Sequence, residues 1–178
     1  MPDARVYFGQ EELFLTPLYA MASGATALGS VIRADSTMVE VVNRQRKLKV
    51  DCDRWRAFSE KALAIVPTNS DGVTVAFVSD RAMSELNRMW RRKQGTTDVL
   101  SFPAEQDQFQ NAEGANLGDV VISLEQAARQ AKENRMSLDS EIAQLILHGM
   151  IHLCGYDHST DKGEMNRLEL RLRKKLGI

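Results

Sequence analysis

"DVLSFPAEQDQFQNAEGANLGDVVIS", residues 98–123, decides what kind of sheet this chain can build. "DVLSFPAE" (98–105) reads as a short strand stopped by Pro103. "EQDQFQNAEGAN" (105–116) is a polar loop, and "LGDVVISLEQA" (117–127) is a strand that runs into a helix reaching about Arg135. No helix separates these two strands, whereas adjacent parallel strands are joined through crossover helices. A purely doubly wound sheet is therefore disfavoured.

Working outward, "GVTVAFVS" (72–79) and "TMVEVVNRQ" (37–45) are β-branched and read as strands. Between them Trp55, Phe58, Ala62 and Ile65 recur every three or four residues and form one helix face. Asp51 or Asp53 caps its start, and Pro67 in the turn cluster "PTNSDG" ends it. "SDRAMSELNRMWRR" (79–92) is a helix capped by Ser79 or Asp80, with Ala82, Met83, Leu86 and Met89 or Trp90 inward. Ser137 caps a helix carrying Leu138, Ile142, Leu145 and Ile146, which Gly155 ends as a C′ glycine. A last helix, from about Thr160 to Leu176, buries Met165, Leu168, Leu172 and Leu176. The fold expected is α+β: a mixed sheet of about four strands packed with about five helices.

Residues 1–36 have poor periodicity and a small-residue stretch, "MASGATALGS". They read as a partly disordered, dispensable extension, or as sequence upstream of a start at Met38, ahead of one domain at 37–178. A net charge of −1 points to neither nucleic acid nor membrane, so any basic surface must be local. No apolar run approaches the roughly 18 residues of a membrane span, and no signal peptide is visible. Cys52 and Cys154 form no disulfide framework, which fits a reducing compartment.

All three histidines lie within "HGMIHLCGYDH" (148–158). His148 and His152 are four apart on one helix face, and the reversal at Gly155 lets His158 return to the same point from the following loop. Three imidazoles leave one position open on a tetrahedral ion, which is the pattern of a catalytic zinc site. Cys154, two residues after His152, points elsewhere and reads as a small core residue. Zinc proteases of the extended type carry a glutamate after the first histidine as general base. Here Gly149 takes that place, so protease chemistry lacks its base. A glycine inside a helix also costs about 1 kcal/mol against alanine. Close approach of another backbone or a bulky substrate would explain it.

These residues carry a resemblance. "HGMIHLCGYDH" resembles the H-G-x-x-H-L-x-G-Y-D-H signature of the YbeY family, bacterial metal-dependent endoribonucleases of ribosomal RNA maturation. "SELNRMWRRKQGTTDVLSFP" (84–103) and "LGDVVIS" (117–123) are similar to that family's other two motifs, although Thr96 stands where the family commonly has proline. The resemblance implies an α+β fold, one zinc ion held by His148, His152 and His158, and cleavage of single-stranded RNA. It further implies association with ribosomal RNA and the small ribosomal subunit in the cytoplasm, in 16S rRNA 3′-end maturation and ribosome quality control. The family's functional arginine aligns with Arg91, preceded by the aromatic Trp90.

The residues themselves suit an anionic substrate. Between 81 and 93, Arg81, Arg88, Arg91, Arg92 and Lys93 face a single acid, Glu85. Arg91 would steady the phosphate as charge builds on its oxygens, and Arg88, Arg92 and Lys93 would follow the backbone. The alternative for this run is a solvated helix face. Arg167, Arg171, Arg173, Lys174 and Lys175 in the last helix either track RNA or complement the helix dipole. No protein general base is evident; Asp157, next to His158, reads as a turn residue, the alternative being that it orients a ligand or takes a proton. The competing functional class is a ribosome-assembly factor that binds RNA without cutting it, its metal serving stability.

Overall fold

A computed structural model describes residues 38–104, 116–157 and 161–178. The extension 1–36, most of the polar loop expected at 105–116, and His158 lie outside the described residues.

Four strands, β1 (Met38–Asn43), β2 (Gly72–Val78), β3 (Val99–Pro103) and β4 (Asn116–Ser123), form one sheet in the order β1-β2-β4-β3. β1 and β2 run parallel, as do β2 and β4. β3 pairs antiparallel with β4 from Val99↔Ile122 to Pro103↔Gly118. The sheet is therefore mixed, with β1 and β3 as its edge strands among the described residues. The described helices are α1 (Cys52–Leu63), α2 (Asp80–Arg91), α3 (Leu124–Glu133), α4 (Leu138–Leu153) and α5 (Glu164–Leu176).

Side chains alternate across the sheet. Val39, Val41, Val73, Val75, Phe77, Val120 and Ile122 share a core with Trp55 and Ala62 of α1, Ile142, Ile146 and Met150 of α4, and Met165, Leu168 and Leu172 of α5. Ala76, Val78, Leu100 and Val121 alternate with them and face the other side, where α2 packs against β4 and Met83 is fully buried. α2 and α4 thus cover opposite faces. The caps resolve the choices left open by sequence. Asp51 accepts the Arg54 N–H at 3.1 Å, and Ser79 accepts that of Ala82 at 3.3 Å. Ser137 accepts the Ser140 N–H at 3.0 Å, as expected.

Several boundaries differ from expectation for local reasons. β1 ends at Asn43, not Gln45, because the Gln45 side chain builds a turn. Its Oε1 accepts the Lys47 and Leu48 N–H groups, and its Nε2 donates to the Leu48 carbonyl at 2.7 Å. α5 begins at Glu164 because the Asp161 carboxylate takes the Gly163 and Met165 N–H groups at 2.7 and 2.6 Å. On α2, Met89 is exposed and Trp90 turns inward against Phe102 of β3, ring centroids 5.8 Å apart.

Candidate metal centre

α4 lies across β3 and β4, and Gly149 is its point of closest approach. A Cβ there would stand 2.6 Å from Val120 Cγ1 and 3.1 Å from Ser101 Oγ. The Ser101 hydroxyl donates to the Gly149 carbonyl at 3.2 Å. Gly149 is therefore explained by the sheet beneath it. Where a protease places its general base, this helix has a packing contact.

That seating sets His148 and His152 with their Nε2 atoms 3.1 Å apart. Each Nδ1 has an acceptor. His148 Nδ1 lies 3.1 Å from Glu169 Oε2, and His152 Nδ1 lies 2.9 Å from the Tyr156 carbonyl. An imidazole donating from Nδ1 presents a lone pair at Nε2. Two such lone pairs at this separation repel unless a proton or a cation stands between them. Ligands about 2.1 Å from a tetrahedral zinc ion would be about 3.4 Å apart, close to the spacing found. The donor set fits zinc, with two of the three expected ligands among the described residues.

The Tyr156 carbonyl reaches His152 because Gly155, at φ +89°, reverses the chain. Tyr156 N–H donates back to the Ile151 carbonyl at 3.4 Å, and Gly155 N–H to that of His152 at 2.9 Å, closing a Schellman-type end. A Cβ at Gly155 would meet nothing within 4 Å, so its backbone angle, not space, demands glycine. Cys154 packs against the core, and burial pushes its thiol up to about 11, which keeps it protonated. Asp157 follows in the turn, its carbonyl accepting the Asp161 N–H at 3.1 Å.

Glu169 had no part in the sequence reading. It lies on the inner face of α5 among Met165, Leu168 and Leu172, its side chain 7% exposed. Its other oxygen, Oε1, accepts from Arg173 at 2.5 Å. Burial works against its charge, but the contacts with His148 and Arg173 prevail and hold its pKa below the ordinary carboxylate value. The one available signal was an acid at an apolar position of a periodic helix.

Arg91 occupies the last turn of α2, and Arg92 caps the helix in the left-handed conformation at φ 54°. Arg88, Arg91, Arg92 and Lys93 are all exposed. Arg81 pairs with Glu85 at 3.3 Å, which takes up the single acid of this run. Trp90 packs edge-on against Phe102 while the adjacent Ser101 bonds Gly149 on the opposite face. The basic turn and the histidine helix therefore meet the same end of β3 from opposite sides of this edge strand. Among the described residues, no hydrogen bond or ion pair joins Arg91 to His148 or His152.

Comparison with known proteins accords with this architecture. The solution structure of TM1509 from Thermotoga maritima superposes with a TM-score of 0.54 at 24% identity, over 78% of this chain and 89% of that one, a likeness of fold. A protein of Geobacter metallireducens described as endoribonuclease YbeY is 33% identical over 141 residues, 79% of this chain and 94% of its own length. One from Nautilia profundicola with the same description is 43% identical over 60% of this chain and 73% of its own. Another, from Myxococcus xanthus, is 47% identical over 60% of this chain, a match that spans only 37% of that longer relative. The profile of the family described as endoribonuclease YbeY matches residues 40–177. This chain belongs to the YbeY endoribonuclease family.

Proposed function

We propose that this chain is a zinc-dependent endoribonuclease that cuts single-stranded ribosomal RNA in the cytoplasm, in association with the small ribosomal subunit. Its work would be 16S rRNA 3′-end maturation and ribosome quality control. The observation that carries the reading is the pair of imidazoles whose Nε2 atoms converge at 3.1 Å, with Gly149 in place of a protease base.

His148 and His152 hold the ion, with His158 as the third ligand. Bound zinc supplies Lewis acidity to a phosphate oxygen or to water. Arg91 offers a planar fork to the non-bridging oxygens of the scissile phosphate, where a point charge would serve less well. Arg88, Arg92 and Lys93 hold the flanking backbone through charge. An RNA strand gripped this way passes over the Phe102–Pro103 end of β3, between the cations on one face and the histidines on the other.

The test is incubation of the full chain with RNA and with casein, each with and without a chelator. RNA cleavage that the chelator abolishes, with casein intact, is expected. His152→Ala should lose both metal and cleavage. RNA binding that persists in chelator with no cleavage under any condition selects a metal-stabilised ribosome-assembly factor instead.

A further inference from the structure

Glu169 and Arg173 lie one turn apart on α5, the helix that packs beside α4. Met165, Leu168 and Leu172 surround Glu169 along the same face, and a leucine there would serve packing alone. A buried carboxylate is costly unless its oxygens are satisfied. Both oxygens have partners: Arg173 donates to Oε1 at 2.5 Å, and His148 Nδ1 lies 3.1 Å from Oε2. A carboxylate paired with a guanidinium accepts and does not donate, so His148 is the donor and its proton is on Nδ1. Arg173 also fixes the rotation of the carboxylate, so that Oε2 faces the ring.

We propose that Glu169, locked by Arg173, is a positioning residue of the metal centre. It keeps His148 in the Nδ1–H tautomer with its Nε2 lone pair aimed at the point shared with His152. The inference rests on the reading of the two histidines as ligands. His152 has the corresponding support from the Tyr156 carbonyl, a backbone group that no side-chain substitution removes. Glu169 is therefore where the orientation of a ligand can be altered without touching the ligand. Outer partners of this kind commonly contribute about 10- to 100-fold to metal affinity.

The experiment uses the full chain and needs no RNA. Zinc affinity is measured by competition with a chromophoric chelator for wild type, Glu169→Gln, Arg173→Gln and His152→Ala. The metal-free melting temperatures are measured alongside, and 15N shifts of the His148 ring are read in the metal-free wild type and Glu169→Gln. Glu169→Gln should weaken zinc binding about 10- to 100-fold in a chain that still folds, Arg173→Gln should weaken it less, and wild-type His148 should carry its proton on Nδ1. Unchanged affinity in Glu169→Gln, while His152→Ala loses the metal, overturns the proposal. So does a lowered metal-free melting temperature with affinity intact, the mark of a purely structural ion pair. Should the variant fail to fold, the wild-type spectrum decides alone: a proton on Nε2 refutes the role. A chain that binds zinc, loses affinity on Glu169→Gln and leaves RNA intact supports the positioning role while refuting the proposed activity.

Discussion

Gly149→Ala separates helix propensity from packing, because the two predict opposite signs. Propensity favours alanine inside a helix by about 1 kcal/mol. Packing opposes it. The new Cβ would stand 2.6 Å from Val120 Cγ1, about 1 Å inside an ordinary carbon–carbon contact. Val120 is fully buried in the middle of β4, and its branched Cβ leaves little rotamer freedom. Either α4 withdraws and stretches the Ser101–Gly149 hydrogen bond, or Val120 leaves its rotamer. Overpacking of this kind costs about 1–3 kcal/mol. The net expectation is a destabilisation of up to about 2 kcal/mol once propensity is subtracted. It is measured as a shift in denaturation midpoint at constant slope. Placed on Val120→Ala, where the clashing methyl groups are gone and only the 3.1 Å approach to Ser101 Oγ remains, the same Gly149→Ala change should become stabilising by up to about 1 kcal/mol. A double-mutant cycle reads that inversion directly. If Gly149→Ala stabilises the wild-type background by about 1 kcal/mol, the sheet contact is not what excludes a side chain here.

Arg91→Ala should keep fold and metal yet slow single-turnover RNA cleavage by about 10- to 1000-fold, with Arg91→Lys recovering only part; Arg92→Ala should act mainly on binding and its salt dependence. If Arg92→Ala is the crippled variant, the clamp is one residue later. Arg92 holds φ 54°, so Arg92→Gly should raise stability by about 1 kcal/mol, read as a higher melting temperature; no gain means the left-handed cap carries no strain. Asp80 is opposed by burial, but hydrogen bonds from Ser123, Arg129 and Thr96 together with the Arg129 charge hold its pKa below the ordinary 3.8. A carboxyl so depressed contributes stability that is fully present above that ordinary value and is lost as pH falls through the lower value it has in the folded protein. Asp80→Asn should therefore destabilise at neutral pH and converge with wild type only as the pH falls below the ordinary 3.8 in urea titrations, and a gap independent of pH would contradict this.

Local pattern was enough to read most elements, because helix and strand periodicity is written in neighbouring residues. Trp55 and Ala62, the valines of β2, and the caps at Ser79 and Ser137 all state their element within a few positions. The mixed direction of the sheet followed from a sequence between β3 and β4 that reads as a polar loop and not as a crossover helix. The histidine pair was legible for the same reason: a spacing of four on a helix is a local fact. Boundaries failed where a side chain competes with the backbone for its hydrogen bonds, as Gln45 does after β1 and Asp161 does before α5. Strand order, the opposite faces of α2 and α4, and the approach of Trp90 and Gly149 to β3 from its two faces depend on which surfaces bury one another. Glu169 was invisible for that reason. As an acid in a charged C-terminal helix it resembles its solvated neighbours, and only the packing of α5 on α4 turns it inward to His148. Gly149 could be seen as a puzzle in sequence, but its answer is Val120, a residue twenty-nine positions away brought beneath it by the fold.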